Sequence, residues 1–384
     1  MGDPVAAKRS RLTPTTRLVV FMASAVVFGL LPLVALYDVF AAIAGNRVTP
    51  DFSLTYYRAA EALLDGERIY PTGELVLRGD FIIDYLYPPL TAIAAAPFTL
   101  LPVGAAELLF AGLLVLAFAA TLAVLGVRDW RCYGLAFLWP PVLDAIQTEN
   151  VTILLGLAAA LVWRLRDRSL ASGATLGVSL ALKIVMWPLA IWLAATRRLA
   201  AMLWAFVIAT ALLTITWVAI GFEGLSDYPD LLRRASEIQD GESYTVYALA
   251  LDLGSTPGLA RALWILLAVT LLAATVIVGR RGDERRAFVL AIAATIACSP
   301  IVWLHYFALL LVAVAVAEPR LAPAWFLGLP LQVFISTGVH NGSTFQTAAM
   351  LATAALTVVL VLRRPSLTVW RRDRSAPRPV AGSP

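Results

Sequence analysis

The chain opens with an apolar run, residues 18–44, of about 27 residues, long enough to cross a bilayer with some tilt. Similar runs recur to the end, at residues 103–127, 199–220, 261–279 and 345–362. In lipid every backbone N–H and C=O must be bonded internally, which leaves helices or a closed barrel. The short alternating strands of a barrel are missing from the sequence, so the runs are read as helices. Composition agrees: 60 per cent of the 384 residues are hydrophobic and 14 per cent charged, against about 25 per cent charged in soluble domains. An all-α polytopic membrane protein is expected, with about twelve membrane segments in one domain over residues 18–363.

Charge placement sets the orientation. The net charge of +5 comes from short Lys and Arg clusters between apolar runs, which is an orientation signal and no mark of nucleic-acid binding. Lys8, Arg9, Arg11 and Arg17 precede the first run, so residues 1–17 are expected in the cytoplasm, as is the tail, residues 364–384. Ala42-Ile43-Ala44 resembles a signal cleavage site, but the run before it is too long for a signal h-region. Two large polar loops, residues 45–83 and 221–260, are then expected on the extracytoplasmic side. Arginines flank residues 170–195 at both ends, so this segment is expected to start and finish inside, as a hairpin or re-entrant loop with Lys183 at its tip. Three full spans at 85–101, 103–127 and 132–146 would put Arg164 on the wrong side, so either the proline-broken 85–101 run or the short 132–146 run is expected to be incomplete. Cys132 and Cys298 each lie in an apolar run and read as small buried hydrophobes. No internal repeat is visible.

A few polar residues could carry chemistry. Asp51 opens the first polar loop. It is a good N-cap for the helical spacing of residues 53–64, an amphipathic stretch expected to lie in the interface, and equally a carboxylate base for a sugar hydroxyl. Lys183 stands alone in an apolar run, where an ammonium costs about 2.5–3.5 kcal/mol on insertion scales. It either snorkels or pairs with a phosphate. His305, between Trp303 and Tyr306 at an expected turn, is a packing residue or a donor to a phosphate oxygen. Tyr85, Tyr87, Trp303 and Tyr306 suit a sugar platform or an interfacial belt, and Glu149 and Asn150 are expected to face the same cavity because lipid would not hold them. His340 precedes Asn341-Gly342-Ser343, a weak glycosylation pattern. No phosphate-binding glycine loop or clustered metal-ligand pattern occurs, and there is no room for a soluble nucleotide-sugar domain, so any sugar donor should be lipid-borne.

Three segments in order carry a family resemblance: DFSLTYYRAA from Asp51 with GERIYP from Gly66 and YPPL from Tyr87; GVSLALK ending at Lys183; and SPIVWLH ending at His305. Together they resemble the polyprenyl-phosphate-mannose-dependent mannosyltransferases of glycosyltransferase family 87, in the GT-C superfamily. The resemblance implies Asp51 as catalytic base, Lys183 and His305 as ligands of the donor phosphate, inversion at the sugar, and no metal or other cofactor. Tyr56, Arg58, Tyr85, Tyr87, Glu149, Asn150 and Trp303 are the residues expected to meet sugar or acceptor. The partners implied are a polyprenyl-phosphate sugar and a glycolipid or glycan acceptor. Arabinose or glucose in place of mannose, or a lipid or solute transporter, are the alternatives.

Overall fold

The computed structural model describes residues 13–78, 81–335 and 342–363. His340, Asn341 and both basic termini beyond these bounds lie outside the described residues. Seventeen α-helices are found among them, with one two-stranded antiparallel pairing, Leu77–Arg78 with Phe81–Ile82, in the first polar loop. Five helical stretches are long and apolar enough to cross a membrane, or six if one bent pair is a single span. This is a multi-pass membrane architecture. Several of the remaining apolar runs expected to span are short helices.

The first long stretch joins α1 (Pro14–Ala25) to α2 (Leu31–Ala44) through a π-helical turn, Val26–Leu30. Thr13 caps α1 by accepting from the Thr16 N–H. Pro32 cannot donate to the carbonyl four residues back, that of Phe28, and the wider turn absorbs the misfit. Helix α6 (Trp130–Phe137) approaches at that point through Gly134, where a Cβ would lie 2.0 Å from the Phe28 oxygen. The other long helices are α5 (Val103–Val124), α11 (Leu199–Ala219), α14 (Pro257–Arg280) and α17 (Thr344–Arg363). Leu203, Phe206, Leu266 and Val269 are among their many exposed apolar side chains, as expected of lipid-facing helices.

Shorter helices fill the centre: α7 (Pro140–Gln147), α8 (Thr152–Arg164), α9 (Ser169–Leu182), α10 (Pro188–Ala195), α15 (Glu284–Ala297) and α16 (Leu310–Ala317). All of α15 from Ala287 to Ile296 is buried. Helix α9 packs closely along α11 through Gly173 and Gly177; a Cβ on Gly177 would stand 2.8 Å from the Ala205 oxygen. Helices α7 and α8 meet at 119°, with Glu149 at the bend in left-handed conformation (φ 53°).

Both candidates for an incomplete crossing fall short. The 85–101 run is α4 (Pro89–Ala95) followed by a 3-10 turn containing Pro97, and the 132–146 run is divided between α6 and α7 by Pro140 and Pro141. Arg198 donates to the Arg166 carbonyl (3.0 Å), and both pair with Glu284. These bonds bring residues 165–168, 196–198 and 284 to one end of the bundle. The segment between Arg168 and Arg198 therefore starts and ends there, with Lys183 at its break.

At the opposite end the two polar loops dock on one another. Tyr70 stacks on Trp217 (5.2 Å), Tyr228 Oη donates to the Leu86 carbonyl (3.0 Å), and Arg68 pairs with Glu223. Burial raises the Tyr70 and Tyr228 phenols above their ordinary value, so both remain hydroxyl donors. The second loop contributes α12 (Tyr228–Gln239) and α13 (Val246–Asp252). The stretch after Asp51 differs from the interfacial helix expected. Phe52–Tyr57 is a π-helical turn buried at every residue, with Phe52 stacked on Phe110 at 4.5 Å, and it runs into α3 (Arg58–Leu64). The aromatic side chains here have helix α5 and the 96–100 turn to pack against, and burial among them wins over the interface.

Candidate active site

Asp51 is fixed by its backbone before its side chain is considered. Its N–H donates to the Thr148 carbonyl (2.7 Å), and its own carbonyl accepts from Thr55 Oγ1. The residue has helical dihedrals and makes no side-chain capping bond, so the N-cap reading does not apply. Its carboxylate instead accepts from Asn150 Nδ2. Asn150 is oriented in turn by Thr152, whose N–H (2.9 Å) and Oγ1 (2.6 Å) bond to Asn150 Oδ1. The bend between α7 and α8 thus grips the start of the first polar loop from two sides.

Lys183 ends α9 in extended conformation, and Thr91 Oγ1 donates to the carbonyl of Leu182 (3.0 Å). Its ammonium lies 4.5 Å from the Tyr306 ring centre, 5.0 Å from that of Tyr87 and 3.4 Å from Tyr87 Oη. Two aromatic faces therefore carry the charge where no carboxylate pairs with it among the described residues. Tyr87 is the junction. Its hydroxyl accepts from Tyr56 Oη (2.9 Å) and lies 3.4 Å from Asn150 Nδ2, so a hydroxyl stands between the anion of Asp51 and the cation of Lys183.

Asp51, Thr55, Tyr87, Lys183, Tyr306 and Trp303 border one cavity of about 430 Å³. Most of its remaining wall is apolar, with Leu180, Ile184, Leu213 and Trp217 prominent, while Ser236 and Gln239 of α12 roof it. A polar end and a long apolar flank suit a phosphorylated sugar on a hydrocarbon chain.

Other expected residues stand elsewhere. His305 is 2 % exposed and does not border the cavity; Nδ1 lies 3.4 Å from Asp144 Oδ2 and the ring stacks on Tyr306 at 5.2 Å. Tyr85 is buried as a clamp for α4, donating to the Pro88 carbonyl (2.6 Å) and accepting from the Ala92 N–H (2.9 Å). Arg58 is exposed and away from the cavity. Glu149 is fully buried and does not border the cavity, with neither carboxylate oxygen bonded among the described residues. Tyr56 touches the site through its hydroxyl, which donates to Tyr87 Oη and lies 3.5 Å from Asn150 Nδ2. Tyr228, Gln239 and Thr55 were not anticipated, since nothing in their local sequence sets them apart. Asp144 had a readable signal, a lone acid within an apolar run. No group of three or more His, Cys, Asp or Glu side chains is arranged for a metal among the described residues.

Compared with known proteins, no curated protein and no solved structure matches the chain. A family model does: that of glycosyltransferase family 87 matches residues 85–305, more than half of the chain, including Tyr87, Asn150, Lys183 and Trp303. The chain belongs to glycosyltransferase family 87 and is a membrane enzyme of polyprenyl-phosphate-sugar-dependent glycosyl transfer, which removes the transporter alternative.

Proposed function

We propose that the enzyme transfers mannose, with inversion, from a polyprenyl phosphate to a glycolipid or glycan hydroxyl, with Asp51 as the base. The observation that carries this reading is the cavity bordered by both Asp51 and Lys183, with the Tyr87 hydroxyl between them. Asp51 removes the proton of the acceptor hydroxyl as its oxygen bonds to the sugar's C1. The bond from C1 to the phosphate oxygen breaks in the same displacement, and the electron pair leaves with the phosphate. Lys183 and Tyr87 meet the charge that develops there, in a site where aromatic walls keep water from screening it. Inversion, which the family resemblance implies, is a single displacement, so a β-linked donor gives an α-glycoside.

His305 acts behind this site by packing on Tyr306, which in turn flanks the ammonium. The short apolar helices are taken as further membrane segments that complete a bundle of the GT-C type. The active site faces the extracytoplasmic side, a reading supported by the arginines gathered at the opposite end, around Arg166 and Arg198. The test is transfer by the purified enzyme in lipid nanodiscs, with polyprenyl-phosphate-mannose as donor and hexadecyl α-mannoside as acceptor. Asp51→Asn keeps an oxygen for Asn150 but no base, so kcat is expected to fall about 10²- to 10⁴-fold. Wild-type turnover in this variant would overturn the base assignment. Arabinose- and glucose-charged donors in the same assay decide the sugar.

A further inference from the structure

A second cavity, of about 470 Å³, lies between α13, α14, α15, α16 and α17. Trp264, Leu271, Ile296, Phe307, Ala354 and Val358 represent its lining, which is apolar apart from Tyr244 and Thr245 at one end. Of the polar groups that reach it, Trp264 Nε1 donates to the Ala297 carbonyl (2.7 Å), and Thr245 Oγ1 caps α13 by accepting from the Ala248 N–H (3.0 Å). Apart from Tyr244 at one end, the lining offers a ligand no free hydrogen-bonding side chain, so it selects hydrocarbon. Helices α14 and α17, both of membrane length, flank the cavity without packing along each other. Exposed Val359 and Ala355 stand in the gap between them, so the cavity is entered sideways from the bilayer.

Its position relative to the active site identifies the occupant. The non-helical residues 299–303 form a partition: Ser299, Ile301 and Trp303 face the active-site cavity, and Val302 faces the second one. The partition is held by the Tyr244 N–H, which donates to the Val302 carbonyl (2.7 Å). The roof is shared too, since Gln239 covers the first cavity while Tyr244, Thr245 and Val246, a few residues on, cover the second. The apolar flank of the active-site cavity accounts for the donor's single chain. A second amphiphile would need its own slot, opening under the same roof.

Resting on the glycosyl-transfer reading above, we propose that the second cavity holds the hydrocarbon chain of a lipid-anchored acceptor, whose sugar reaches over the 299–303 partition to Asp51. The acceptor is thereby a glycolipid, and a soluble glycan lacks this anchor.

Photo-crosslinking tests this without relying on turnover. A hexadecyl α-mannoside with a diazirine at the chain end is incorporated into nanodiscs holding the full chain, and a phosphatidylglycerol with the same diazirine chain forms the comparison arm. Labelling of peptides from residues 257–280 and 344–363 by the mannoside, several-fold above the phosphatidylglycerol, is expected. Ala354→Phe and Leu271→Phe narrow the cavity from opposite sides, and each should abolish that label; either one that folds suffices. Asp51→Asn should keep it, so a failed base assignment leaves this result standing. Equal labelling by both probes would make the occupant ordinary bilayer lipid and overturn the proposal, as would labelling outside the cavity or a label that survives both Phe substitutions.

Discussion

Replacing Lys183 by Met separates a functional charge from a structural one. The ammonium, half-buried at the cavity wall, lies against the rings of Tyr87 and Tyr306, at 5.0 and 4.5 Å, with the Tyr87 hydroxyl at 3.4 Å. Keeping a lysine in such surroundings costs about 2.5–3.5 kcal/mol on insertion scales, and two ring contacts return about 0.5–2 kcal/mol each. The folded enzyme therefore gains little from this charge, and Met, of similar length, should leave the thermal midpoint unchanged or slightly higher. Catalysis should respond differently. A charge-assisted hydrogen bond to the leaving phosphate contributes about 1.5–3 kcal/mol, which at about 1.36 kcal/mol per decade predicts a 10- to 150-fold loss in kcat/KM for the donor. Initial rates in nanodiscs over a donor series, beside a thermal melt of the same preparation, give both quantities. Lys183→Arg should recover only part of the rate, because a planar guanidinium does not fit between two rings placed for a compact ammonium. An unchanged kcat/KM in the Met variant, or a fall in stability that tracks the fall in rate, would refute the reasoning.

Other substitutions should divide by location. His305→Ala removes the partner of Asp144 and the stacking face of Tyr306, so it should lower the thermal midpoint together with kcat rather than raise the donor KM alone, as a direct phosphate ligand would. Arg58→Ala, at an exposed position away from the cavity, should leave donor kinetics within error of wild type. Gly177→Val pushes a Cβ into contact with the Ala205 oxygen and should cost about 1–3 kcal/mol in a melt, whereas Gly112→Ala meets no atom within 4 Å and should be neutral or mildly stabilising. Hydrogen bonds from Arg131 and Arg198 hold the carboxyls of Asp129 and Asp167 below the usual range. Their stabilising effect is present above the ordinary carboxylate value and is lost as pH falls through the depressed folded values. Melts recorded at decreasing pH should show the loss below about pH 4, smaller in Arg131→Gln.

The long runs were legible because length and hydropathy suffice for them: residues 18–44 and 199–220 match α1–α2 and α11 closely. The centre of the bundle was harder to read. Helix α16, and α15 beyond its charged first turn, are apolar on all sides, so periodicity could not tell which face packs and which meets lipid. Broken segments were partly legible: 85–101 and 132–146 stood as alternatives for one incomplete crossing, whereas prolines divide both. For Asp51, local sequence suggested a cap, and what decided against it was a contact with Asn150, far along the chain. His305 shows the opposite difficulty. Its neighbours Trp303 and Tyr306 border the cavity, yet the backbone turn between them directs the imidazole behind, toward Asp144.

Helix length also bears on why the donor is carried by a lipid. Helices α8, α9 and α15 have 13, 14 and 14 residues, about 20 Å each at 1.5 Å per residue, against a hydrocarbon core of about 30 Å. The span-length helices around them reach further. On the proposed reading that these short helices are membrane segments, the non-helical segments that end them, around Asn150, Lys183 and residues 299–303, fall short of the bilayer surface. Irregular backbone at such depth is tolerated only where it lines a cavity, and here all three segments border or brace the same one. On that reading a phosphate descends below headgroup level to reach Lys183. A water-soluble donor would lose hydration over the whole of that path with no apolar contact to offset it. A donor whose chain already lies in the bilayer enters along the apolar flank of Leu180, Ile184 and Leu213, and only its phosphate and sugar exchange water for Lys183, Tyr87 and Asp51.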